Sequence, residues 1–348
     1  MAQSKKYQRC MVMAGGGFHL GYYLGMYAAM RELKKTPDVI LASCGGAIAA
    51  AIIQALPDDA ERKAWLSAPQ MYQFWRGLKS KQNATLAGSF IGAMKRRFLG
   101  GNAEHIPDLF NDYMFEIPAQ LPLPERTSDK AEEDVAVAIV AGKLLYAENE
   151  VGQRRGQRKL FSEVIFCDER AAALLNQSQL EAPLSAPMYG DNAVAPQLLT
   201  DVTMSIGDAA RASIADMFYF RCHSHTSGDY IGGVIDLFPI EVAGCLAENV
   251  IMELKAGYDK TYGLPAIRTV LGFDGNQRLH QVFQQPAEMW VDTSDMEEFF
   301  LNQRIRQKII WYKNKIDIVT PPTYAAYVQM IEAQWQFGYQ RGLNSVKA

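Results

Sequence analysis

Over roughly the first sixty residues, short continuous apolar runs alternate with longer apolar stretches, and glycine-rich joints separate them. Gln8 to Met13 has the length of a buried strand, and Tyr22 to Leu33 that of a buried helix. Asp38-Val39-Ile40-Leu41 repeats the strand pattern and Gly45 to Leu56 the helix pattern. Two consecutive strand–turn–helix units predict parallel strands with both turns at one carboxyl edge. Farther on, Val135 to Ala141 and Glu163 to Cys167 are uninterrupted apolar runs, as expected of strands covered on both faces. The expected fold class is therefore α/β, three layers around a mainly parallel central sheet.

The two joints carry the candidate chemistry. In Leu41-Ala42-Ser43-Cys44-Gly45-Gly46 the strand meets the helix through a turn so tight that its flanking residues must be tiny, and Ala42, Gly45 and Gly46 satisfy that demand. The geometry is that of a nucleophile elbow, with the Cys44 thiol pushed out at the positive end of the next helix. The upstream joint, Ala14-Gly15-Gly16-Gly17-Phe18-His19-Leu20-Gly21, leaves backbone N–H groups free to point at an anion. Side by side, one turn supplies a nucleophile and the other an oxyanion hole, built from Gly15, Gly16, Gly17 and Gly45.

This order of motifs resembles the patatin-like phospholipase family: a glycine-rich oxyanion loop, a G-x-S-x-G elbow one βα unit later, and a distant D-G-G or D-G-A segment carrying the base. The third element corresponds to Ile231-Gly232-Gly233-Val234-Ile235-Asp236-Leu237-Phe238-Pro239, preceded by the small-residue stretch Ala209 to Ala215. The resemblance spans roughly residues 8 to 340 and implies a patatin-like domain acting on lipid esters. It also implies that the family's serine corresponds to Cys44 and its aspartate to Ile231. By the same correspondence His19 and Leu20 stand for the basic residue and the glycine that close the oxyanion motif, and Leu237 for an asparagine.

A thiol needs less help than an alcohol, since its ordinary pKa is about 8.5 and a helix N-terminus lowers it. Cys44 is thus expected to form the acyl-enzyme of a lipid acyl hydrolase or acyltransferase, on an ester or a thioester, even without the lost carboxylate. The alternative is an inactive pseudoenzyme that binds a lipid, an acyl group or a protein partner. Surrogate bases are His19, in the oxyanion loop, and Asp229, His225 and His223, just before Ile231; His19 also reads as a polar residue orienting its loop. Asp229 and Asp236 also read as turn and surface carboxylates, and Arg221-Cys222-His223-Ser224-His225 as a polar loop rather than a metal site, for want of a second ligand pair. No metal and no cofactor are expected.

Composition adds limits. With 35 basic and 38 acidic residues the net charge is −3, too close to neutral to argue for nucleic acid. Lys95-Arg96-Arg97 and the cluster from Arg154 to Lys159 read as solvated faces or loop ends. Five cysteines without framework spacing suit reduced thiols and a cytoplasmic location. Cys10 to Met30 is long and weakly charged, but its glycines fit strand, loop and buried helix rather than a membrane span. Met71 to Trp75 and Phe90 to Met94 could give peripheral membrane contact. The expected organisation is a single domain over 1–348, with a lid or insertion at 180–200 and a helical part at 240–348. Pro183 to Pro196, with Phe218, Tyr219 and Phe220, are the expected walls of an acyl channel.

Overall fold

In the computed structural model the described residues are 5–81, 101–125, 135–260, 263–300, 305–310 and 315–347. Lys95-Arg96-Arg97 and Phe90 to Met94 lie outside them.

Strand β1 (Tyr7–Ala14), helix α1 (Leu20–Glu32), strand β2 (Val39–Ser43) and helix α2 (Gly45–Ala55) form the expected pair of units. All five residues of β2 are buried, which accounts for its unbroken apolar character, and burying Ile40 or Leu41 contributes about 1.5–3 kcal/mol each. Strands β1 and β2 run parallel, in a register that sets Cys10 beside Val39 and Ala14 beside Ser43. Because both strands end level, the two turns that follow are neighbours.

The sheet extends on both sides of this pair. Next to β1 lies Ala247–Leu254, then Met289–Asp292, both parallel. Next to β2 lies Ala136–Leu144, parallel, then Phe161–Phe166, antiparallel, then Leu199–Asp201. A hairpin of His223–His225 and Gly228–Ile231 joins the antiparallel side, with Gly142 opposite Ile231. One apolar core lies on each face of the sheet. The long helix Tyr324–Leu343 closes one face against α1, where Gln334 Oε1 accepts the Gly21 N–H at 3.1 Å.

Three regions differ from the sequence reading. The part after residue 240 contributes two central strands as well as helices, because Val250-Ile251-Met252 is a short, fully covered apolar run. Residues 180–200 form two short 3₁₀ turns leading into Leu199–Asp201; Leu184, Ala193 and Val194 are buried, so this stretch is packed into the core. The segment around His223 and His225 is the hairpin just described, not a loop. Among the described residues no helix is long and apolar enough to cross a membrane.

Candidate active site

The two turns are tied by their own backbones. Gly15 N–H donates to Ser43 O at 3.1 Å, and Gly46 N–H donates to Gly15 O at 2.8 Å. Gly15, Gly16 and Gly17 all have positive φ (76°, 88° and 55°), a run that side chains would resist. Gly45 is held by space instead: a Cβ there would stand 2.3 Å from Gly17 O and 3.0 Å from Gly15 O. With Gly15 N–H spent on Ser43, Gly15 drops out of the expected oxyanion set and acts as a strut. Gly16, Gly17 and Gly45 are the other glycines of that expectation.

Cys44 sits at the elbow with φ 49° and ψ −123°, a backbone conformation that costs a residue with a side chain about 1–3 kcal/mol. The surroundings over-determine it. Its N–H donates to Ser213 Oγ at 2.9 Å, and Ser213 Oγ in turn donates to Val140 O at 2.6 Å, so one buried hydroxyl pins the elbow to the neighbouring strand.

The thiol of Cys44 donates to Asp216 Oδ1 at 2.9 Å. Asp216 follows directly after the small-residue stretch Ala209 to Ala215, at the end of the turn that leaves the helix Ile206–Ser213. Burial raises its pKa to about 7, and the hydrogen bond from Cys44 offsets part of that rise. The thiol is pushed well above its ordinary range, first by burial and then by the Asp216 charge, while the Val234 N–H and the Lys255 ammonium pull it down. At rest the pair is a thiol bonded to a carboxyl group. It is not the free thiolate that the helix N-terminus alone suggested, because burial outweighs the helix end.

A cavity of ≈ 680 Å³ opens in front of Cys44. Gly15, Gly16, Gly17, Gly45 and Asp216 line it, and Ile48, Trp75, Ile214, Tyr219 and Phe220 give it an extensive apolar wall. His19 lines it too, but its Nδ1 lies 3.2 Å from Gly16 O and its ring stacks on Phe300, an arrangement that orients the glycine loop. Leu20 and Ile231 do not line the cavity. Leu20 starts α1 and packs behind the elbow, and Ile231, 1% exposed, packs against Gly142. Gly232 and Gly233 allow close approach around the dyad: a Cβ on Gly232 would meet Asp216 Oδ1 at 2.2 Å, and one on Gly233 would meet Ser43 Cβ at 2.6 Å.

Tyr219 and Phe220 are walls as expected, whereas Phe218 and the stretch Pro183 to Pro196 are not. Asp229 sits in the hairpin, where its carboxylate accepts from Ser224 Oγ, and is absent from the cavity wall. Asp236 is no surface carboxylate: it is 2% exposed and pairs with Arg278, whose Nη2 donates to Asp236 Oδ2 at 2.8 Å. Arg278 also bonds Glu241, so a guanidinium between two carboxylates repays the burial. Among the described residues no three metal-ligating side chains cluster.

A strained elbow cysteine and a glycine cradle match the arrangement that the motif order implied, while the carboxylate at hydrogen-bond distance comes from Asp216, outside the third motif. A family model described as patatin-like phospholipase matches residues 11–243. The chain belongs to the patatin-like phospholipase family. Its fold is accordingly that of a patatin-like domain, and lipid acyl hydrolysis is the activity associated with that family. A solved structure, VipD from Legionella pneumophila, is similar over 99% of this chain and 68% of its own, with 12% identity and a TM-score of 0.35. No curated protein sequence matches this patatin-like chain.

Sequence reasoning missed Asp216, Ser213 and Lys255. The signal for Asp216 was a lone carboxylate between Ala215 and Met217 in an otherwise apolar, small-residue segment. Nothing in the sequence distinguished Ser213 or Lys255 from other polar residues beside apolar runs.

Proposed function

We propose that this patatin-like protein is a lipid acyl hydrolase or acyltransferase in which Cys44 is the nucleophile and Asp216 the base. The observation that carries the reading is the 2.9 Å hydrogen bond from the thiol to Asp216 Oδ1 at the floor of an apolar cavity. The family's aspartate position holds Ile231, and Asp216 supplies a carboxylate to the same sulfur from a neighbouring turn.

In the first step the thiol proton passes to Asp216 as sulfur bonds to the acyl carbon of an ester or thioester. The carbonyl electron pair becomes an oxyanion held by the N–H groups of Gly16, Gly17 and Gly45. Collapse breaks the bond to the leaving alkoxide or thiolate, which takes the proton from Asp216 and leaves an S-acyl enzyme. Water or an acceptor alcohol or thiol then attacks, giving its proton to Asp216, and Cys44 leaves and is reprotonated. A carboxyl group with a pKa of about 7 exchanges a proton in both directions near neutral pH.

The test is intact-mass spectrometry after incubation with an activated acyl ester and with an acyl thioester. One acyl group should add to the wild type and none to Cys44→Ala, with Asp216→Asn labelled far more slowly. Equal labelling of wild type and Cys44→Ala sinks the acyl-enzyme. If no acyl group adds to either while a long-chain fatty acid still raises the melting temperature, the protein is a binder without turnover.

A further inference from the structure

The cavity has a second chemical feature besides the thiol and its carboxylate. Lys255, the first residue after the strand Ala247–Leu254, lines the cavity wall together with Gly257, Thr293 and Ser294, while the apolar wall comes from Ile48, Trp75 and Phe220. Its Nζ donates to Tyr22 Oη at 2.7 Å and lies 3.4 Å from both Tyr23 Oη and Glu253 Oε2. Tyr22 and Tyr23 belong to α1, and their rings lie against the glycine loop: a Cβ on Gly16 would stand 2.8 Å from Tyr23 Cε2 and 3.0 Å from Tyr22 Oη.

Glu253 is the only acid paired with this ammonium among the described residues, and its charge is already engaged. Tyr22 Oη and Thr293 Oγ1 each donate to its Oε2 at 3.0 Å, and Ala14 N–H to its Oε1 at 3.3 Å. Glu253 is wholly buried and does not reach the cavity wall; Lys255 does. An occupant of the cavity therefore meets the ammonium and not its counter-charge. Arg306, exposed, is a second cation on the same wall, and Asp216 and exposed Glu297 are its two acids.

We propose that Lys255 is an anion-recognising residue of this cavity, so that the ligand is an amphiphile whose apolar chain lies along Trp75 and Phe220 and whose phosphate or carboxylate meets the ammonium. The inference deepens the acyl-transfer reading and rests on it for the role of the apolar wall. A charged hydrogen bond of this kind, made away from bulk water, is the stronger sort.

The test uses Cys44→Ala protein, so that it does not depend on turnover. Decanol, decanoate and decyl phosphate share one tail and are titrated by calorimetry, with inorganic phosphate alone as a fourth arm. The two anionic amphiphiles should bind at least about tenfold more tightly than decanol, and Lys255→Met should erase that gap while leaving decanol unchanged. Whichever anion binds more tightly assigns the headgroup. Decanol binding as tightly as the anions overturns the proposal, and inorganic phosphate binding as tightly as decyl phosphate overturns the amphiphile. So does Lys255→Met weakening all ligands equally. Because that change strands Glu253, Lys255→Met is repeated with Glu253→Gln, where the same loss of discrimination is expected. Failure of acyl labelling with discrimination intact would sink the enzyme reading and leave the anion subsite standing.

Discussion

The two halves of the candidate site are built in different ways. The nucleophile half, residues 14–21 and 42–46, is made of backbone: two turns that share hydrogen bonds between Gly15, Ser43 and Gly46, and glycines held by positive φ or by close main chain. The base half is made of side chains delivered by distant segments, with Ser213 and Asp216 from the end of one helix and Gly232 and Gly233 beside them. A backbone-built half tolerates little substitution, because a Cβ on Gly45 or Gly46 meets main chain and Gly15, Gly16 and Gly17 have positive φ. A side-chain half needs only an oxygen in the right place, and more than one position in the chain can supply it. Asp216, which reaches the sulfur from the end of a helix rather than from the segment around Ile231, illustrates that freedom.

Removing the carboxylate gives the largest expected effect. Asp216→Asn keeps the size of the side chain but not its basicity, and the rate of acyl-enzyme formation should fall by about 10²–10⁴. Single-turnover labelling of Cys44 measures this; an unchanged rate would leave the base half without a function. The pH profile sharpens the point, since kcat/KM should rise with pH through about 7 in the wild type as Asp216 deprotonates, and Asp216→Asn should lack that inflection.

Crowding the backbone half comes next. Gly45→Ala forces a methyl group to 2.3 Å from Gly17 O and should destabilise the fold by about 2–3 kcal/mol, read from denaturant unfolding. A neutral result would mean that the elbow has room the glycine contacts deny. Ser213→Ala tests the joint between the halves: it strips the Cys44 N–H of its acceptor in a buried site and should cost about 1–3 kcal/mol.

A separate effect is on stability against pH. The folded pKa of Asp216, about 7, lies above its ordinary value of 3.8, so the native state holds the extra proton between the two. Its contribution to stability is complete below about 4 and is lost as pH rises through about 7. The melting temperature of wild type relative to Asp216→Asn should therefore decline across that window, and a constant difference would remove the raised pKa.

These halves were legible in the sequence to different degrees. The elbow, the glycine loop and the strands around them were readable because each is a local pattern: an apolar run followed by a turn with room only for small residues. Even there, Gly15 exchanged its expected place in the oxyanion hole for a bond to Ser43, a detail set by the level ends of two strands. Asp229 and His19 were reasonable candidates by proximity along the chain, yet Asp229 turned into a hairpin and His19 turned toward Gly16 O.

What the sequence determined by itself was the α/β order and the thiol at a tight strand-to-helix turn at residue 44, since these depend on neighbours within one turn or strand. Only the tertiary structure decided which carboxylate meets the thiol, that burial keeps the thiol protonated, and that Lys255 faces the same cavity as Cys44. Cys44 and Asp216 are separated by 172 positions, and the Glu253 carboxylate accepts from Tyr22 across 231. Contacts of that span arise from the packing of strands and helices, which places side chains from remote segments within a few ångströms and sets the solvent exposure that tunes their charge.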